Sequence, residues 1–346
     1  VRRLQYTGRE RLELAEVPAP EVGPGEVQIA VRLTGICGTD LHALKGHMDA
    51  RVAPLPSVLG HEMVGEVAAV GSGVTGLEPG ALVTVMPLLW CSECAACRAG
   101  YSHVCQRLKF VGIDVDGSMQ EFWTVPASIV IPLPAGMTLE QGVLVEPVAV
   151  AHHGVQRSGL VAGERAVVIG AGPIGMLIAH VARSQGAEVT LLELDGHRRR
   201  LAADEGFQTL DPSDDGTLTA LETWTEGAGA QVVFEVSGSA GGVELGVQAL
   251  AVRGRMVVVG IHTAERPTNL HRVFWRELTI LGSRVYQRSD FEAAISLLER
   301  GVIEPSRLIS AVFPLAHGEQ AFAHLASGEA MKVLISSGDV EGRADS

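Results

Sequence analysis

No apolar stretch of this sequence is long enough to cross a membrane. The longest, Val143 to Ala151 and Ala166 to Ile174, carry Glu, Pro or Gly and stop short of the roughly 20 residues that span a bilayer. Grouped basic residues are lacking too. The formal charge is −13 and the one basic run is Arg198 to Arg200, which excludes a nucleic-acid surface, since phosphate binding needs clustered Lys and Arg. The start, Val1-Arg2-Arg3-Leu4, runs into strand-like alternation with no apolar h-region, so a cytoplasmic location is expected. Cysteine is scarce: Cys37, Cys91, Cys94, Cys97 and Cys105 all fall in the first third. An odd, clustered set suits thiolate metal ligands in a reducing compartment better than disulfides.

What is present is a globular chain. Hydrophobic residues make up 47% of the 346 and charged ones 19%, with Gly and Pro throughout, which fits about two domains. Only Gly338 to Ser346 reads as loose. From Glu26 to Val85 the pattern predicts short strands (Val27 to Leu33, Val64 to Val70, Leu82 to Met86) between Gly-Pro, Pro-Gly and Gly-Ser turns, a β-rich, barrel-like unit. Near Pro147 the pattern changes. A helix is expected over Val148 to Gly159, then a buried strand Arg165 to Ile169. Further strands are expected at Val189 to Leu192, Gln208 to Leu210, Gln231 to Val236, Arg255 to Val259 and Leu278 to Leu281, with helices in most gaps. That alternation predicts a doubly wound parallel sheet, an α/β Rossmann domain over 148–287. An amphipathic helix, Asp290 to Arg300, and a closing segment through Val333-Leu334-Ile335 are expected to return to the first domain, 1–147 and 288–346.

Gly170-Ala171-Gly172-Pro173-Ile174-Gly175 follows the β-branched run and opens a helix, the context a dinucleotide-binding turn requires. The first Gly permits the turn, the second admits the pyrophosphate, the third lets helix and strand approach, and the helix N-terminus faces the phosphates. Glu193, about 20 residues on, is placed to accept hydrogen bonds from the adenosine ribose, with Asp195 as its rival. A carboxylate there repels a 2′-phosphate, so NAD is expected rather than NADP. Arg198 and Arg199 pair a phosphate if the loop folds back; otherwise they are a solvated helix face.

Cys91-x-x-Cys94-x-x-Cys97 and Cys105 supply four thiolates within a lobe at about 88–108. Four soft ligands this close complete a tetrahedron around zinc with no open position, a structural site. An iron–sulfur cluster, a redox CxxC pair and a zinc ribbon are the alternatives; the second leaves two cysteines unexplained and the third sits badly with an acidic chain.

With Gly35-Ile36-Cys37-Gly38-Thr39-Asp40-Leu41-His42, Gly60-His61-Glu62, Val145-Glu146-Pro147 and Gly254-Arg255 in this order around the motifs above, the sequence resembles the zinc-containing medium-chain alcohol dehydrogenases. Within them it is similar to the sorbitol, threonine and 2,3-butanediol dehydrogenase branch. The resemblance covers nearly the whole chain. It implies a GroES-like barrel as catalytic domain, two zinc ions per subunit, NAD and a homotetramer paired through the edge near Leu278 to Leu281 and Val273-Phe274-Trp275. It also implies that Cys37 and His61 ligate a catalytic zinc, with Glu62 beside the metal and Glu146 a ligand directly or through water. A proton relay through Thr39, the cofactor ribose and His42 follows from the same resemblance.

The implied reaction is reversible oxidation of a secondary hydroxyl, most simply a polyol to a ketose, with threonine or 2,3-butanediol as alternatives. A non-catalytic cofactor-binding protein is the remote alternative, and it needs a missing ligand. The sorbitol-type Arg-Tyr pair is altered: Val285 stands directly before Tyr286 in Arg284-Val285-Tyr286. His47 and Arg51, beyond the Cys37 motif, reach the substrate's further hydroxyls or are loop surface.

Overall fold

A computed structural model describes residues 1–48 and 51–338; apart from Gly338, the loose end expected at Gly338 to Ser346 lies outside the described residues. The chain divides into two compact units, Val1–Glu146 with Gln287–Glu299 and Glu304–Ser346, and Pro147–Tyr286 with Arg300–Ile303.

The first unit is organised by the strand Glu26–Gly35, whose alternating Val27, Ile29 and Val31 point into a core with Val67, Val83, Trp123 and Val125. It pairs antiparallel along its length with Glu62–Val70, and on its other edge first with Phe122–Pro126, then with Lys332–Ser336. Register shifts at Gln28/Ile29 and Val31/Leu33 mark bulges, which bend the strand and raise its twist. The sheet has seven strands, and Ile309–Pro314 joins it parallel to Lys332–Ser336, with the helix Gly318–Ala326 between them in sequence. A second core, including Tyr6, Ile36, Leu59, Phe322 and Val333, packs beside it. Val333 to Ile335 lie in Lys332–Ser336, a strand of this seven-stranded sheet.

The second unit is a six-stranded, all-parallel sheet in the order Gln208–Leu210, Glu188–Leu192, Arg165–Ile169, Ala230–Glu235, Leu250–Val258, Thr279–Gly282. Ala166, Val167 and Val168 are fully buried, as a strand covered on both faces must be. Strand order reverses at Arg165–Ile169, and a crevice for a ligand forms at the carboxyl end of such a switch point. The glycine turn begins there.

One helix departs from its expected bounds. It runs Leu139–Ser158, nine residues earlier than the sequence pattern places it, with Glu146 and Pro147 inside it. Proline removes one i→i−4 hydrogen bond and normally ends a helix. Here Val143, Leu144, Val145, Val148 and Ala149, on both sides of it, are all buried, and that burial outweighs the lost bond. None of the described helices is long and apolar enough to cross a membrane.

Candidate metal and dinucleotide sites

Three chemically different donors converge in the first unit. Cys37 caps the short helix Gly38–Leu44, and Glu62 begins the strand that pairs with Glu26–Gly35, with His61 immediately before it. The sulfur of Cys37, a ring nitrogen of His61 and a carboxylate oxygen of Glu62 lie within 4.8 Å of one another, with His61 2% and Glu62 1% exposed. Thiolate, imidazole and carboxylate are the ligand types zinc accepts. Glu146 is also buried, in the helix Leu139–Ser158, and its charge acts on Lys332, but it is not part of that three-donor set.

Two residues with no role assigned from the sequence organise the cluster. Asp40, fully buried, accepts the backbone N–H of Cys37 at 2.9 Å and of Gly60 at 3.2 Å, and stands 3.5 Å from His61 Nδ1. It therefore ties together the segments that bear Cys37 and His61 and stands beside the imidazole as an orienting group. Burial by itself lowers the pKa of His61, but Asp40 and then Cys37 raise it well above its ordinary value. This pocket favours a positive charge. Lys332, buried in the last strand, donates to both oxygens of Glu62, at 2.6 and 2.8 Å. Its pKa is raised against desolvation by Glu62, Cys37 and Glu146. The pair reaches across Gly35, which lies between the two strands; a Cβ there would overlap Glu62 Oε2. The available signal is a single Lys inside the otherwise apolar stretch Ala330-Met331-Lys332-Val333-Leu334-Ile335.

Thr39 and His42 sit three residues apart on Gly38–Leu44, a spacing that brings helix neighbours to one face. The Thr39 hydroxyl is 3.7 Å from Cys37 Sγ. His42 is exposed, with Nδ1 3.2 Å from Nδ1 of His47. Its pKa is lowered by partial burial, then by His47 and Lys45.

The four remaining cysteines form a second cluster. Sulfur separations are 3.4 Å (Cys91 to Cys105), 3.5 Å (Cys94 to Cys97), 3.8 Å (Cys94 to Cys105) and 3.9 Å (Cys91 to Cys97). A tetrahedron with metal–sulfur bonds of about 2.3 Å has edges of about 3.8 Å, so the thiols stand where a tetrahedral ion needs them. The backbone N–H groups of Cys94 and Arg107 point at Cys91 Sγ and Cys105 Sγ, as they would toward thiolates.

In the second unit each motif glycine has its own reason. Gly170 takes φ +103°, a Cβ on Gly175 would overlap the Gly170 carbonyl, and Gly172 has nothing nearer to its missing Cβ than Arg198 Nη1 at 3.7 Å. Space at the middle glycine is thus left open to a ligand. Gly172 caps the helix Pro173–Ser184 and Pro173 occupies its first turn, followed by Ile174. Glu193 accepts from Ala171 N at 2.7 Å and Asp195 N at 2.9 Å, so its carboxylate lies against the glycine turn. Asp195 is engaged instead as the N-cap of Gly196–Asp204, accepting from Arg198 N. The neighbouring arginines part company. Arg199 holds the loop carbonyls of Glu193 and Leu194 and pairs with Asp211, whereas the buried Nε of Arg198 has no hydrogen-bond partner among the described residues.

Two metal-type donor sets and a dinucleotide turn on a doubly wound sheet define a zinc-binding dehydrogenase. Residues 23–135 match the alcohol dehydrogenase GroES-like domain and 173–300 the zinc-binding dehydrogenase domain, and the chain belongs to that family of oxidoreductases. It is 46% identical to a 2-dehydro-3-deoxy-L-galactonate 5-dehydrogenase of Pseudoalteromonas atlantica over 96% of this chain and 97% of that one. It is 32% identical to a sorbitol dehydrogenase of Halalkalibacterium halodurans, covering 95% and 96%. A zinc-binding dehydrogenase structure from Sinorhizobium meliloti, bound to NADP, superposes with a TM-score of 0.90 at 31% identity over 97% and 98% of the chains.

Proposed function

We propose that the chain oxidises a secondary hydroxyl of a polyhydroxylated substrate, a polyol or sugar acid, to a ketone by reversible hydride transfer to NAD. The observation that carries this reading is the convergence of Cys37 with the buried His61 and Glu62 beside the Thr39 and His42 helix. Relatives that act on sorbitol and on a deoxy sugar acid support the substrate class.

Cys37 and His61 would hold a catalytic zinc, with Glu62 and Glu146 supplying anionic support, and the four-cysteine cluster a second, structural one. A zinc ion held there would supply a Lewis acid that lowers the pKa of the substrate hydroxyl toward about 7, and NAD would supply the hydride acceptor. Asp40 fixes the His61 ring. Thr39 accepts the hydroxyl proton while releasing its own toward His42, and His42, its pKa lowered so that it starts neutral, accepts that proton and then releases it to solvent. In the ketone-reducing direction His42 returns it. Gly170 to Gly175 would receive the pyrophosphate and Glu193 the ribose; a carboxylate at that position favours NAD over NADP. Arg198 lies beside the same turn.

We assign the second unit as nucleotide domain and the first as catalytic domain, in a cytoplasmic enzyme. A homotetramer paired through Thr279–Gly282 is supported by that strand's place at the sheet edge and by exposed Phe274, Trp275 and Ile280. The test follows absorbance at 340 nm with NAD against NADP across four- to six-carbon polyols, sugar acids, butanediol and threonine, with and without a zinc chelator. Chelator-sensitive turnover of polyols or sugar acids with NAD is expected. Turnover of threonine or butanediol alone would move the substrate class, and no turnover by zinc-loaded, NADH-binding protein would overturn the catalytic reading.

A further inference from the structure

The segment after the Thr39 and His42 helix carries a cation that the reaction above does not use. Its backbone is pinned on both sides: His47 N donates to His42 O at 3.0 Å, Arg51 N to Met48 O at 2.8 Å, and Ala53 N to Ile113 O at 2.7 Å. Arg51 Nη2 donates to Asp114 Oδ2 at 2.7 Å, and the same oxygen accepts the backbone N–H of Phe110 at 2.7 Å. The Phe110 ring meets His61 edge-on with centroids 5.0 Å apart. One phenylalanine therefore separates the guanidinium's anchor from the candidate metal ligand. Asp114 is 18% exposed and Arg51 42%, so the carboxylate acts as an inner support and the arginine as the group offered outward. Among the described residues, Asp114 engages only one guanidinium nitrogen, leaving other donors of the planar fork.

We infer that Arg51, steadied by Asp114, binds a carboxylate on the substrate, so that the hydroxyl oxidised belongs to a sugar acid rather than a neutral polyol. This rests on the reading of Cys37, His61 and Glu62 as the catalytic metal centre. A single flat guanidinium matches a carboxylate through two parallel hydrogen bonds; it suits a phosphate dianion less well without further cations. Arg51 is a specificity residue, acting on the end of the substrate away from the reacting carbon.

The experiment compares L-galactonate and 2-dehydro-3-deoxy-L-galactonate with galactitol and galactitol 1-phosphate, using the zinc-loaded enzyme and its Arg51→Met, Arg51→Lys and Asp114→Asn variants. The wild type is expected to prefer the acids. Arg51→Met should lower kcat/KM for acids about 10- to 100-fold more than for galactitol, chiefly through KM. Arg51→Lys should recover part of that loss, and Asp114→Asn should fall between. Equal losses for acid and neutral substrates, or a wild type that prefers galactitol, overturns the inference while leaving the proposed reaction standing. Preference for the phosphate reassigns the anion and overturns it as well. Absence of turnover with every compound removes the metal-centre reading and this inference with it.

Discussion

Replacing Lys332 by Met tests whether the buried ammonium is the counter-charge that makes the candidate metal pocket foldable. The side chain is 4% exposed and its partner Glu62 1%, and both Glu62 oxygens lie within 2.8 Å of Nζ. Removing one member of such a pair leaves the other charged in low dielectric, which typically costs 3–5 kcal/mol. Here the stranded carboxylate would also face Cys37 and Glu146, the other groups that stabilise the ammonium. A metal ion in the pocket offsets part of this, so about 3 kcal/mol is expected for the zinc-loaded protein. The assay is urea unfolding in a Trp224→Phe/Trp275→Phe background, where Trp90 and Trp123 report on the first unit alone. Adding Glu62→Gln to Lys332→Met should recover at least half of the loss, since no charge is then stranded. A loss below about 1 kcal/mol in the single variant, or a double variant no better than the single, would refute the reasoning.

Gly175→Ala should weaken NADH binding at least about tenfold and lower the Tm, because its methyl collides with the Gly170 carbonyl; Gly172→Ala should weaken NADH binding with the Tm unchanged, since only a ligand needs that space. Fluorescence titration and thermal melts separate the two. Arg255→Ala removes hydrogen bonds to Glu164, at 2.6 and 3.0 Å, and to Ser158 O, and should destabilise the second unit by about 2 kcal/mol. Against desolvation, Arg255 and the Val161 N–H hold the Glu164 carboxyl below its usual value of 4.5. That contribution is therefore complete above pH 4.5 and lost as pH falls through the lower folded pKa, so wild type and variant should converge in acid. His47→Ala relieves one of the effects, after partial burial, that lower His42. The pKa of His42 should then rise, and the acid limb of the kcat/KM profile for alcohol oxidation should move to higher pH; an unmoved limb would exclude His42 as the proton acceptor.

Legibility in the sequence tracked the range over which each signal acts. Five strands of the second unit lie within one residue of their expected bounds, because burial on both faces leaves unbroken runs such as Ala166-Val167-Val168-Ile169, while Leu250–Val258 begins five residues before the expected Arg255. The start of Leu139–Ser158 was misplaced because Pro147 is a strong local stop signal, and only tertiary burial of the turns on either side overrides it. The two adjacent arginines looked equivalent; their division, Arg199 to the loop carbonyls and Arg198 to the glycine turn, depends on where Gly196–Asp204 begins. Cys37, His61 and Glu62 were recognisable by type and order, while their support was not. Lys332 stands 270 residues from Glu62, and the pair exists only because two different strands flank Gly35 in one register. A one-residue slip of Lys332–Ser336 would turn the ammonium to the opposite face of the sheet. The charge state of the candidate metal pocket is therefore set by the register of the last strand, and the fold's closure and the pocket's electrostatics cannot be altered independently.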